Sequence, residues 1–224
     1  MNYDWNFGRL IPYAWAFAKG TVVTLVLTSI VILIGTVLGV ILGLVLQKKL
    51  PRLIVYPLVD VLRALPPLVL ILFMYYFLTR QVIGFAVPAF WVCVVAMSLN
   101  LAAFTSDLVR AAIENVPKYT LDAGRALGMN ETQITQHIVF PRVVREIIPG
   151  MTMLYIAMLK MSSLASVINV REMVNTAQTV IADISRSLEA WVIVGLIYIV
   201  LVIPATYGAR AVERWVGRGE LGER

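Results

Sequence analysis

Five apolar runs, at roughly 21–46, 53–78, 88–109, 143–168 and 190–209, leave this chain little choice of fold. A helix needs about 20 apolar residues to cross a hydrocarbon core, and each run reaches that length. The first is long enough to cross with tilt. Side chains are 60% hydrophobic and only 14% charged, with a mean hydropathy of +0.84. A soluble domain of this size would expose large apolar patches. The expected class is therefore an all-α integral membrane protein with about five transmembrane helices. The first run is also far longer than a signal-peptide core of about 7–15 residues, and no basic start precedes it. It is expected to stay as a helix.

The basic residues set an orientation. Lys48, Lys49 and Arg52 follow the first run, and Arg110, Lys118, Arg125, Arg142 and Arg145 follow the third. Arg210, Arg214, Arg218 and Arg224 follow the fifth, whereas the opposite side holds only Arg9, Lys19, Arg80, Arg171 and Arg186. The positive-inside bias predicts an N-terminus outside and a C-terminus in the cytoplasm. The net charge of +6 follows from this asymmetry. With no basic patch interleaved with aromatics, nucleic acid is not an expected partner. Cys93 and His137 are each the sole residue of their type. One chain thus offers neither a disulfide framework nor a metal cluster, and no catalytic triad. There is no Walker-type loop, so the chain binds no cofactor of its own, and any ATP and Mg²⁺ belong to another polypeptide.

Along the chain, residues 1–19 mix Trp5, Phe7, Tyr13, Trp15 and Phe17 with Asp4 and Arg9, an interfacial amphipathic lead-in. A transmembrane domain is expected over 20–212 and a cytoplasmic tail over 213–224. Gly35, Gly39 and Gly43 lie four residues apart on one helix stripe, which predicts close packing against another helix. In the second run, Asp60, Arg63, Pro66 and Pro67 interrupt Val, Leu and Ile. Charges at membrane depth cost about 2.5–3.5 kcal/mol on insertion scales, so they face a partner or a wet cavity. A structural Asp60–Arg63 pair beside a proline kink is the alternative reading. Ser98, Asn100, Thr105 and Ser106 form a polar face on the third run. In the fourth, Lys160 stands beside Ser162, Ser163 and Ser166; it either faces the bundle interior, the preferred reading, or snorkels outward. Residues 169–188, rich in polar side chains, are expected to form an external helical docking segment.

Residues 119–141 are a polar island between apolar runs. Thr120 suits an N-cap and Gly128 a C-cap, with Asp122 near the start, where it complements the helix dipole. Asn130 suits the cap of a second short helix over Glu131–Val139, ending before Pro141. A membrane protein that offers water a helix, a Gly turn and a second helix has a surface for a soluble partner.

The island resembles the coupling signature of ABC importer membrane subunits, which reads Glu-Ala-Ala, three residues, Gly, nine residues, Ile, one residue, Leu-Pro. Here Asp122-Ala123-Gly124, Gly128, Ile138 and Phe140-Pro141 keep the spacing, with Asp, Gly and Phe as departures. Tyr56-Pro-Leu-Val-Asp-Val-Leu-Arg63-Ala-Leu-Pro66-Pro-Leu, Ser98-Leu-Asn100 and Leu159-Lys160-Met161-Ser162-Ser163-Leu164 are similar to segments of polar amino-acid permeases of the histidine and glutamate type. The resemblance implies a type I importer permease of the bacterial cytoplasmic (inner) membrane. It further implies two ATPase subunits, a second permease subunit and a periplasmic or lipid-anchored solute-binding protein. Asp122, Ala123, Gly124, Gly128, Ile138 and Pro141 would couple to the ATPases. Arg63, Pro66, Asn100, Lys160, Ser162 and Ser163 would border the path. With Met161 and Leu154 uncharged and Lys160 and Arg63 the only cations in the spans, a carboxylate-bearing solute without a second positive group is expected, such as glutamate, aspartate, glutamine or another polar zwitterion. Opine-like or compatible-solute cargo fits equally well. A stand-alone secondary transporter or channel is the alternative, with Asp60 as its sole carboxylate at midplane.

Overall fold

The computed structural model describes residues 3–77, 84 and 87–217, with no strand among them. Arg80, Arg218 and Arg224, the side chains of Lys49 and Arg52, residue 78 and the tail beyond 217 lie outside the described residues. Among the described residues nine α-helices follow one another: α1 (Ala14–Val45), α2 (Lys49–Ala64), α3 (Pro67–Phe73), α4 (Ala89–Glu114), α5 (Lys118–Ala126), α6 (Glu131–Ile134), α7 (Phe140–Met161), α8 (Met173–Ile184) and α9 (Ser187–Gly217). Among the same residues four helical stretches are long and apolar enough to span a membrane: Phe7–Val45, Ala89–Glu114, Glu131–Ile168 and Ser187–Val216. A fifth is broken, with Leu53–Ala64 and Pro67–Phe77 bent by 106°.

That bend has a local cause. Pro66 and Pro67 remove two consecutive amides from the helix ladder, and Pro67 pushes the residue before it into extended backbone. Pro66 adopts φ −56° and ψ 133°, and Pro67 opens α3 at a position that needs no amide. The second apolar run is two helices at an angle.

The fourth run also differs from expectation. The helix that starts at Asn130 does not end before Pro141. It passes through a π-helical stretch, Thr135–Val139, into α7. Pro141 lacks an amide and its ring crowds the carbonyl one turn back; the wider π-turn carries the chain past it without a break. At its far end α7 tightens into a 3-10 stretch, Ser162–Ile168, closed by Asn169 in the left-handed region at φ 62°.

The chain forms two compact units, one of Met1–Leu33, Leu65–Ser98 and Ile156–Thr206, the other of Ile34–Ala64, Leu99–Tyr155 and Tyr207–Arg224. In the first, Leu10, Phe17, Met173, Ala177, Val180, Ala190 and Val194 form a buried apolar cluster. The lead-in runs without a break into α1, and α8 packs one face on this cluster while Gln178, Thr179, Ala182 and Asp183 stay exposed. Its start is held by polar contacts: Glu172 caps α8 by accepting the Asn175 amide at 2.8 Å, and the Thr24 hydroxyl accepts the Met173 amide at 3.2 Å. Glu172 is fully buried.

In the second unit, α1 and α4 lie in contact along the glycine stripe. A Cβ on Gly35 would lie 2.8 Å from Leu101, one on Gly39 2.4 Å from Thr105 and one on Gly43 2.7 Å from Val109. Both sets of numbers rise by four, so the two helices run parallel there. Leu46, Val59 and Ala103 make one small core of this unit, and Ala112, Val116 and Val143 another, with Leu121 of α5 packed on the latter.

Candidate functional site

The 119–141 hairpin is built from local rules. α5 starts one turn earlier than the Thr120 cap predicts, with Pro117 as N-cap, because Pro117 already sets the extended backbone that precedes a helix. Asp122 thus sits in the second turn, beyond the amides that an N-terminal carboxylate would complement. At the other end the Met129 amide reaches the Gly124 carbonyl at 3.1 Å and the Gly128 amide reaches Arg125 at 3.0 Å. This is a Schellman closure, and Gly128 supplies its left-handed residue at φ +78°. Asn130 then caps α6: its side chain accepts from the Gln133 amide, and the Gln133 side chain accepts from the Asn130 amide, both at 2.9 Å.

Gly124 and Ile138 turn out to be packing partners. Gly124 is buried, and a Cβ there would lie 2.9 Å from the Ile138 side chain and 3.3 Å from Ile134. The exposed side of the hairpin carries Arg125 between Asp122 and Glu131, each at 2.9 Å. Glu131 first, then Asp122, holds the Arg125 guanidinium above its ordinary pKa. Such exposed pairs contribute little stability. Tyr119, Ala123, Ala126 and Leu127 are exposed at helical spacing, with Tyr119 74% and Leu127 82% accessible. Sequence reasoning missed this apolar stripe, although its spacing on an otherwise polar helix was readable.

Around the break after α2, Asn100 is buried and donates its side-chain amide to the Leu62 carbonyl at 3.1 Å. Arg63 pairs with Asp107 of α4 at 3.1 Å and with Asp60 at 3.6 Å, and its guanidinium lies over the Phe104 ring at 5.6 Å. The Asp60–Arg63 pair foreseen from spacing is present, but the shorter contact goes to Asp107, which sequence reasoning passed over. Asp107 in turn holds Arg110 at 2.7 Å.

In the other unit, Lys160 is exposed and lines a cavity with Ser163, Val174, Tyr198, Ile199, Val202 and Ile203. No ion pair engages its ammonium group among the described residues. Ser162 is buried and donates to the Leu159 carbonyl at 2.7 Å, while Ser163 donates to the Lys160 carbonyl at 2.9 Å. Both hydroxyl protons are thus spent on the tightened backbone, which leaves lone pairs to accept. The half-buried Tyr198, beside Ser162 and Ser163, had no signal in the sequence beyond being a tyrosine in a span.

A family model described as binding-protein-dependent transport system inner membrane component matches residues 35–218. The chain is 36% identical over 148 residues to the arginine transport system permease protein ArtQ of Bacillus subtilis, covering 66% of this chain and 68% of that one. It is 28% identical over 156 residues to the glutamine transport system permease protein GlnP of Escherichia coli, covering 70% and 71%. The solved structure of an amino acid ABC transporter with histidines superposes with a TM-score of 0.87 at 27% identity, over 96% of this chain and 99% of that one. The chain belongs to the family of binding-protein-dependent transport system inner membrane components, the multi-pass permease subunits of the bacterial inner membrane.

Proposed function

We propose that this chain is the permease subunit of an ABC importer that carries an α-amino acid into the cytoplasm, with hydrolysis of ATP on two partner subunits. A second permease subunit and a solute-binding protein complete the machine. The N-terminus faces outward and the 119–141 hairpin faces the cytoplasm. The observation that carries this reading is the exposed stripe of Tyr119, Ala123, Ala126 and Leu127. It is an apolar face on a helix that stands outside the spans, braced from behind by Gly124 on Ile138. An exposed apolar face of that kind, on a helix outside the spans, offers a surface for a partner. Asp122, Ala123, Gly124, Gly128, Ile138 and Pro141 serve that contact by shaping and bracing the hairpin. ATP-driven closure of the partner then moves the hairpin as a lever on the spans.

Lys160 and Ser163 border the solute, with Ser162 behind them and Arg63, Pro66 and Asn100 framing the broken span. A cation with free donors pairs with the carboxylate, and the Ser163 lone pairs accept from the ammonium group. No residue lining the Lys160 cavity is acidic. That favours a neutral or acidic side chain, as in glutamine or glutamate, over arginine. Arginine and glutamine are the solutes named for the two relatives above. Membership of a binding-protein-dependent family removes the support for a stand-alone carrier.

The test is Leu127→Asp in the complete complex. It is expected to insert normally, to lose at least about tenfold in ATPase pull-down, since one buried anchor is worth 2 kcal/mol or more, and to abolish uptake. Normal association and normal uptake would sink the coupling assignment.

A further inference from the structure

The break after α2 leaves a specific debt in the helix ladder. The Leu62 carbonyl would ordinarily accept the amide of residue 66, and residue 66 is proline. A carbonyl at a helix end that finds neither an amide nor water is costly. The donor that reaches this carbonyl is the Asn100 side chain, at 3.1 Å. Asn100 is 2% exposed, so its amide nitrogen is engaged inside the protein and not presented to a cavity. Its Oδ1 is buried with no hydrogen-bond partner among the described residues.

Two further α4 residues act on the next position of α2. Phe104 lies under the Arg63 guanidinium at 5.6 Å, and Asp107 pairs with it at 3.1 Å. Residues 100, 104 and 107 are spaced four and three apart, so they share one face of α4. One face therefore holds the end of α2 at two consecutive residues, by backbone at Leu62 and by side chain at Arg63. A structural ion pair alone would have fixed Arg63 and left the Leu62 carbonyl bare.

We propose that Asn100 is a positioning residue for transport: it replaces the amide that Pro66 lacks, and it acts on the path through the end of α2 without touching the solute. This deepens the importer reading above, because a fixed half-span beside a bend is useful only if the bend borders the path. It also makes a prediction that a solute-contacting asparagine does not. Returning an amide to position 66 should make Asn100 dispensable.

The experiment uses the complete complex, reconstituted in proteoliposomes with its ATPases and binding protein, with labelled L-glutamine and L-arginine as probes. Asn100→Leu keeps the volume and removes the donor. It is expected to lower the maximal uptake rate about tenfold, as for a buried polar group left unpaired, with KM within about twofold, as for a residue that does not bind substrate. Adding Pro66→Ala to that variant is expected to regain at least half of the loss. A tenfold rise in KM makes Asn100 a solute ligand and overturns the proposal, and no recovery with Pro66→Ala overturns it as well. If Asn100→Leu does not assemble, assembly becomes the readout: Pro66→Ala restores it, or the proposal falls. Should the unaltered complex accumulate neither amino acid, the solute assignment fails separately. The melting temperatures of the single and double variants then still decide whether position 66 and Asn100 share one carbonyl.

Discussion

Two glycines in the hairpin, Gly124 and Gly128, sit four residues apart for unlike reasons. Gly128 is in open space, with nothing within 4 Å of an added Cβ, and its constraint is the backbone alone, at φ +78°. Gly124 has ordinary helical backbone, and its constraint is Ile138 at 2.9 Å. The two should respond differently to substitution. Gly128→Asn is expected to cost no more than about 1 kcal/mol, because asparagine tolerates the left-handed region, whereas a β-branched Gly128→Val should cost more. Gly124→Val should instead push α5 off α6 and weaken ATPase pull-down. Melting of the purified complex in detergent ranks the three. Equal effects of Asn and Val at 128 would show that the turn is not held left-handed. The turn at Gly128 and the cap at Asn130 were legible in the sequence, since each depends on residues within a few positions. The role of Gly124 was not, because a contact ten or more residues away decides it.

Among the elements, α1 and α4 show how far a pattern reaches. Glycines at 35, 39 and 43 announce a close helix contact, but nothing in their spacing names Leu101, Thr105 and Val109 as the other side. Gly39→Leu would drive four heavy atoms into Thr105, where even a Cβ falls 2.4 Å away. Overpacking of this kind costs about 1–3 kcal/mol. A lower melting temperature in detergent is the expected outcome, and unchanged melting would mean that the stripe is not a packing face. α8 marks the opposite case. Glu172 and Asn175 looked like surface residues by composition, yet both are buried. Glu172 caps a helix through one carboxylate oxygen, and the Asn175 side-chain amide bonds Asn169 at 3.0 Å, so each holds a polar contact inside the protein. Composition counts polar groups; it does not show which of them have partners.

Transport belongs to the whole assembly, and Lys160 is where this chain's part in it can be measured. Lys160→Ala removes the cation from a cavity otherwise lined by Ser163, Tyr198 and the apolar Val174, Ile199, Val202 and Ile203. Uptake of L-glutamine by the reconstituted complex is expected to fall at least about tenfold, as for loss of a charge-assisted hydrogen bond, while assembly and basal ATP hydrolysis persist. Competition between unlabelled arginine, glutamine and glutamate in the same vesicles ranks the side chains. Uptake unaffected by Lys160→Ala would place the solute elsewhere, in this subunit or its partner.

Hydrophobic length and turn chemistry are local quantities, and they determined most of what the sequence alone could determine. The helical membrane class, the apolar runs, the hairpin between two spans, the Gly128 turn and the Asn130 cap all follow from residues near one another in the chain. Tertiary structure decided the rest. It turned Pro66 and Pro67 from a kink into a 106° bend, gave the stranded Leu62 carbonyl to Asn100 and Arg63 to Asp107, and drew α8 into a core. Each of these depends on the register in which distant helices meet. That register is set by packing over the whole molecule, and no spacing within one segment records it.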